Sequence, residues 1–322
     1  MIYLQQDRSG REVLKDIKHN IEKVIIGKSE VIDLVLIALI CSGHVLIEDV
    51  PGLGKTTLVS ALAKSLDLGF SRIQFTPDVM PSDISGFTVF DMQTGEKQVR
   101  HGAVMSQIVL ADEINRTSPK TQSALLEVMQ ENQVTIDGVT YPVPQPFMVL
   151  ATQNPVDLAG TYPLPEAQLD RFLMRISMGY PKRDEEVGIL LRNKGGATAQ
   201  KSEGIGAVAG AQEVLRLREE HSKITCAEPV LQYIVSIAAA TRQSEQVSLG
   251  VSPRGAIALM NASMALAMLE GRDFVLPDDV QKMASHVLSH RMIMSAQASF
   301  KNLSPEDFID DIIRNMRVPA VS

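Results

Sequence analysis

The stretch that most restricts the fold is residues 43–57. There an apolar run, Val45, Leu46 and Ile47, leads into Gly52-Leu53-Gly54-Lys55-Thr56-Thr57. The run predicts a buried strand and residues 58–66 predict a helix. A chain turning sharply from strand into helix points several backbone N–H groups at one spot, at the positive end of the helix. Lys55 adds a mobile positive charge for outer phosphates, and the Thr56 hydroxyl is placed to ligate Mg2+. The usual loop begins with glycine. Here Asp49 stands at that position, while Gly52 and Gly54 remain where backbone must approach phosphate closely. An ordinary strand-turn-helix connection accounts for the glycines, but not for Gly-Lys-Thr between a strand and a helix.

A second landmark lies about sixty residues on. Ile108, Val109, Leu110 and Ala111, with no alternation, predict a strand covered on both faces, as in a parallel sheet. Asp112 and Glu113 then stand at its carboxyl end, where open α/β sheets bind ligands. An Asp there can hold Mg2+ through its water shell, and a Glu can polarise the water that attacks a γ-phosphate. Alone, an acid pair reads as an exposed loop; downstream of a phosphate loop it reads as catalytic. Residues 147–151 predict another apolar strand, which leads to Asn154. An amide at that strand end can orient the attacking water, although Asn-Pro turns are common.

Weaker candidates flank these. Ile25, Ile26 and Gly27 form either a buried segment ending in a turn or an apolar wall for a nucleotide base. Arg171 is a candidate transition-state arginine supplied across a subunit boundary, against a plain salt bridge with Asp170 or Glu166. Arg175 and Arg116 are lesser candidates. Ser118-Pro119 and Ser252-Pro253 both read as a Ser N-cap with Pro at the first helical position. The second places Arg254 in a first helical turn, which disfavours a cation unless an anion faces it.

At 322 residues and 45% hydrophobic composition, the chain can bury a sizeable core. Gly179-Tyr180-Pro181 marks the expected boundary between a nucleotide-binding domain, 1–180, and a helical domain, 181–322. Beyond it, helical periodicity covers 183–193, 211–223, 228–242, 253–270 and 277–290. Residues 195–210 read as a flexible connection. Two hairpins are expected, over 87–100 and over 133–141, the latter around Asp137-Gly138. Met260, Met264 and Met268 read as core, and His286 and His290 as structural. The net charge of −7 argues against a general nucleic-acid coat. Cys41 and Cys226 have no metal-ligand spacing and read as reduced thiols of a cytoplasmic protein. The longest greasy run, 31–40, is broken by Asp33 and is too short for a bilayer, so no membrane insertion is expected.

Four runs together resemble MoxR-type AAA+ ATPases of the helix-2-insert clade. They are Val50-Pro51-Gly52-Leu53-Gly54-Lys55-Thr56, Ala111-Asp112-Glu113-Ile114-Asn115-Arg116, Ala124-Leu125-Leu126-Glu127 and Leu164-Pro165-Glu166-Ala167-Gln168-Leu169-Asp170-Arg171-Phe172. Ser252-Pro253-Arg254 and the stretch from Asp278-Asp279-Val280 to His290-Arg291 join them, so the likeness spans about residues 24–291. It implies an α/β fold: a P-loop αβα core with a parallel sheet, then a smaller all-α lid. It also implies ATP and Mg2+ as ligands and a homo-oligomeric ring, usually a hexamer, with ATP between subunits. By that likeness Gly52, Leu53, Gly54, Lys55, Thr56 and Thr57 are Walker A. Asp112 and Glu113 are Walker B, with Thr56 and Asp112 at the metal. Asn154 matches sensor 1, Arg171 the arginine finger and Arg254 sensor 2.

The two hairpins match the inserts of this clade. The family is thought to act as chaperones maturing metalloenzymes or protein complexes, often with a von Willebrand A-domain partner. A nucleic-acid motor is the alternative, with Lys97 and Arg100 on the first hairpin as its bases. A non-enzymatic ATP-binding assembly switch is another, and the presence of both Asp112 and Glu113 argues against it. A P-loop kinase would need an acceptor pocket of which the sequence gives no sign.

Overall fold

The computed structural model describes residues 8–93, 95–155, 160–193 and 205–320. Two helices open it, α1 (Gly10–Glu22) and α2 (Ser29–Ile40), before the first strand, β1 (Val45–Glu48). Ser9 starts α1 by a reciprocal cap, accepting from the Glu12 amide while the Glu12 carboxylate accepts from the Ser9 amide. Helix α3 (Lys55–Ser65) follows the phosphate loop, then β2 (Phe70–Gln74), α4 (Pro81–Ser85), β3 (Gly86–Phe90), β4 (Lys97–His101) and β5 (Ile108–Asp112). A short 3-10 turn at Ile114–Arg116 leads to α5 (Pro119–Glu131), β6 (Gln133–Ile136), β7 (Val139–Pro142), β8 (Met148–Gln153), α6 (Glu166–Leu169) and β9 (Met174–Ile176).

Strands β2, β5, β8, β1 and β9 lie in that order in one parallel sheet. Successive residues of a strand face opposite ways. Val45 and Ile47 therefore enter the core under α1, α2 and α3, while Leu46 enters the one under α5. Both faces are covered, so these strands read as unbroken apolar runs. In-register pairing of Glu48 with Gln153 and of Gln74 with Asp112 brings the carboxyl ends of four strands to one edge.

Both expected hairpins form, β3 with β4 and β6 with β7. At the tip of the second, Asp137 (φ 49°) and Gly138 (φ 83°) take the left-handed backbone that a two-residue turn of this type requires.

The C-terminal part is helical: α7 (Arg183–Asn193), α8 (Ala211–His221), α9 (Glu228–Gln243), then β10 (Val247–Leu249), α10 (Pro253–Leu269) and α11 (Pro277–Leu288). A 3-10 turn at Ser289–Arg291, β11 (Ile293–Met294), α12 (Ala296–Phe300) and α13 (Pro305–Asn315) complete it. Strands β10 and β11 form a short antiparallel pair within this part, too brief to leave a pattern in the sequence. Ser118 and Ser252 cap α5 and α10 as expected. Helices α8 and α10 pack on α2, so the first apolar core runs without a break from the sheet into the helical part. Met264 and Met268 lie in that core. Of the connection expected to be flexible, residues 195–204 lie outside the described residues. Ile205 and Ala209 are buried, and the Val208 amide donates to the Ser65 carbonyl at 2.9 Å.

Candidate nucleotide site

Helix α3 starts at Lys55, three residues before its first buried residue, Leu58, and its polar first turn, Lys55 to Thr57, lines a cavity. Gly54, with φ 90°, is its N-cap and offers no side chain to it. The first-turn N–H groups thus keep no side-chain cap, the arrangement an incoming anion satisfies. The Lys55 ammonium folds back to donate to the carbonyls of Asp49 at 2.9 Å and Val50 at 3.2 Å.

A cavity of about 380 Å³ opens in front of this turn. Asp49, Pro51, Gly52, Gly54, Lys55, Thr56 and Thr57 form one wall, and Arg72 and Gln74 of β2 another. Asp112, Glu113, Thr152, Gln153 and Asn154, from the ends of β5 and β8, close it. The sheet therefore brings together eight of the expected site residues: Gly52, Gly54, Lys55, Thr56, Thr57, Asp112, Glu113 and Asn154.

The acid pair is held on both sides. The Thr152 hydroxyl donates to Asp112 Oδ1 at 2.6 Å and accepts from the Glu113 amide at 2.9 Å. Arg72 Nη2 donates to Asp112 Oδ2 at 2.5 Å. Glu113 sits in the left-handed region, φ 58° and ψ 50°, a costly conformation for a side chain of its size. Its carboxylate accepts from Gln74 Nε2 at 3.1 Å and pairs with Arg116 Nε at 3.3 Å. These contacts aim it into the cavity rather than along the strand.

Asp49, the departure from the usual loop, is buried and engaged on every side. Its carboxylate accepts from the Ser177 hydroxyl at 2.7 Å, the Met178 amide at 2.5 Å and the Gly179 amide at 3.3 Å.

The other expected residues lie elsewhere. Ile25, Ile26, Gly27, Leu53, Arg171 and Arg254 do not line the cavity. Gly27, with φ 71°, lies so close to the Glu185 carboxyl that a Cβ would collide with it. Arg171 donates to the Leu126 carbonyl at 2.7 Å. Its segment is clamped by the buried Arg291, which pairs with the Asp170 carboxylate and donates to the carbonyls of Phe172 at 2.6 Å and Leu173 at 3.2 Å. Arg175 joins Glu48 at 3.1 Å to Glu306, so it is committed inside the subunit. Arg254 is exposed on the first turn of α10.

Arg72, Gln74, Thr152 and Gln153 line the cavity and were not singled out from the sequence. Arg72 and Gln74 stand two apart on β2, a spacing that puts both on one face of the strand. Among the described residues, no group of three or more His, Cys, Asp or Glu could hold a metal by itself. One carboxylate and one hydroxyl suit Mg2+, which takes its remaining ligands from phosphates and water.

A family model, the ATPase family associated with various cellular activities (AAA), matches residues 44–174, and an AAA lid domain model matches residues 239–312. YeaC of Bacillus subtilis (strain 168) is 49% identical over 307 residues, 95% of this chain and 94% of its own. Chaperone MoxR1 of Mycobacterium tuberculosis (strain ATCC 25618 / H37Rv) is 40% identical over 311 residues, 94% of this chain and 81% of its own. The crystal structure of a candidate ATPase from Cytophaga hutchinsonii superposes with a TM-score of 0.89 at 39% identity, covering 97% of this chain and 96% of that one.

Proposed function

The chain belongs to the MoxR-type AAA+ ATPases, and from that premise we propose that it hydrolyses ATP at the edge of the parallel sheet and uses the cycle to remodel or mature protein clients. One observation carries the reading: the acid pair Asp112 and Glu113 lines the same cavity as the uncapped helix start, Lys55 and Thr56. Phosphate binding and hydrolysis need those groups within one site.

In this reading the N–H groups at Gly52 to Thr57 receive the phosphates, and Lys55 leaves the carbonyls of Asp49 and Val50 for the outer ones. Thr56 and Asp112 would hold Mg2+, which when bound spreads the charge developing on the β- and γ-phosphates. Glu113 takes the proton of the attacking water, and Asn154 orients that water. Ile25, Ile26 and Gly27 are assigned to the base, Arg254 to sensing the nucleotide from the helical part, and Arg171 to the site of a neighbouring subunit. That last role requires a homo-oligomer, which the reading takes as a hexameric ring. Residues 1–180 and 181–322 are proposed as its core and lid. Client work is supported by the name of the Mycobacterium relative, a chaperone. Partners of von Willebrand A type and action in the cytoplasm complete the proposal, the latter in keeping with two free cysteines.

The test is Glu113→Gln. The variant should bind ATP as tightly as the wild type and lose turnover, and on ATP-locked protein it should retain a client through a pull-down. Wild-type turnover in this variant would remove Glu113 from its role.

A further inference from the structure

The residue that breaks the phosphate-loop pattern has the most connected side chain at the loop. Asp49 is 7% exposed, yet it lines the cavity. A carboxylate has only acceptor sites, about four of them. Three receive donors from one short segment, Ser177, Met178 and Gly179. That segment follows β9, the neighbour of the P-loop strand, and leads into α7. Meanwhile the Asp49 amide donates to the Gln153 carbonyl at 3.2 Å, and its own carbonyl receives the Lys55 ammonium.

The same junction is gripped from its other end. Lys28 Nζ donates to the carbonyls of Gly179 at 3.2 Å and Tyr180 at 3.0 Å. Lys28 follows Ile25, Ile26 and Gly27, the segment assigned to the nucleotide base. Glu185, on the first turn of α7, packs against Gly27. Residues 177–180 are thus tied to the phosphate loop through Asp49 and to the base segment through Lys28. A nucleotide using both ends of the site bears on both ties at once.

We propose that Asp49 is a positioning residue that fixes the start of the phosphate loop to the 177–180 junction, so that nucleotide binding tightens this junction and the helix beyond it. The inference rests on the ATPase reading above. A glycine at position 49 would leave the Met178 and Gly179 amides to water, and the backbone carbonyl of that position, where Lys55 rests, would lose its anchor. Loss of such a brace misplaces a reacting group more than it weakens binding.

The test is amide exchange over residues 177–180 of the full-length protein, read by mass spectrometry with and without ADP or a non-hydrolysable ATP analogue. In the wild type nucleotide should slow this exchange by about threefold or more. In Asp49→Asn, whose amide turns one acceptor into a donor facing the Met178 or Gly179 N–H, exchange should rise about tenfold and no longer respond to nucleotide. The Kd for nucleotide should stay within about threefold while kcat falls by about tenfold. Ser177→Ala keeps the carboxylate and both amide bonds, and should give a smaller change in the same direction. It serves as the second variant where Asp49→Asn does not fold. Wild-type exchange that ignores bound nucleotide, or Asp49→Asn with wild-type exchange, would overturn this inference alone. A wild type that binds no nucleotide would overturn the ATPase reading and this inference with it.

Discussion

The hydroxyl of Thr152 lies 2.6 Å from the carboxylate of Asp112, and the same oxygen receives the amide of Glu113 at 2.9 Å. One buried side chain on β8 therefore orients both members of the acid pair at the end of β5. Thr152→Val keeps the branched shape and removes both bonds. A buried hydrogen bond contributes about 0.5–1.5 kcal/mol, and an amide left without a partner costs about 1–3. The variant should melt several degrees below the wild type, with ATP turnover reduced by about tenfold, checked by thermal unfolding and a phosphate-release assay. Full turnover would show that Asp112 and Glu113 hold their places without it.

Arg72 bonds the Asp112 oxygen that Thr152 leaves open, at 2.5 Å. A cation arriving at Asp112 has to share that oxygen with the guanidinium. The arginine side chain is 46% exposed, so the pair falls in the range of about 0.2–1 kcal/mol found for exposed ion pairs. Arg72→Ala should lower the Mg2+ concentration needed for half-maximal nucleotide binding by about two- to fivefold. A Mg2+ titration with a fluorescent nucleotide reads this directly. A raised Mg2+ requirement would instead make Arg72 a partner of the nucleotide rather than a competitor of the metal.

Arg171 donates to the Leu126 carbonyl and does not line its own subunit's cavity, so any catalytic work it does falls on a neighbour's nucleotide. Arg171→Ala should lose turnover by about 10³-fold, the lower end for an arginine finger. Mixing it with Glu113→Gln subunits, which keep Arg171 but lack the base, should restore activity above that of either variant alone. Turnover measured across mixing ratios decides this, and a flat profile would leave Arg171 with only its bond to α5.

What could be read from the sequence was local. The run at Val45 to Ile47, the Ser-Pro helix starts and the Asp137-Gly138 turn each carry their signal within a few residues, and each forms as expected. What escaped depends on partners distant along the chain. Asp49 looked like a flaw because Ser177, Met178 and Gly179 lie about 130 residues away, and only the pairing of β1 with β9 brings them close. Strand β9 has three residues, too few for any period to show. Arg291, read only as part of a family motif, clamps the segment carrying Arg171 from 121 residues on.

His44 links the sheet to α5, and its bonds require a neutral ring. Nδ1 accepts from the Val149 amide at 3.0 Å, while Nε2 lies 2.9 Å from the Met129 carbonyl and must donate to it. A proton on Nδ1 would face a donor. Burial accordingly pushes the His44 pKa down to about 4, with the Met129 carbonyl opposing the shift and Arg218 adding to it. In the unfolded chain the ring takes up a proton near its ordinary value of about 6.5. Between these values the unfolded state binds the additional proton, so stability rises with pH across this window and is lost as pH falls from about 6.5 towards 4. The full difference corresponds to about 3 kcal/mol. Buried His290 and His221 and half-buried His286 are lowered in the same direction by burial and add to the slope. His44→Gln, which does not titrate, should be less stable at pH 7.5 but should lose less stability on acidification to pH 5. Denaturant unfolding at the two pH values measures both terms, and an unchanged acid slope would show that His44 does not set it.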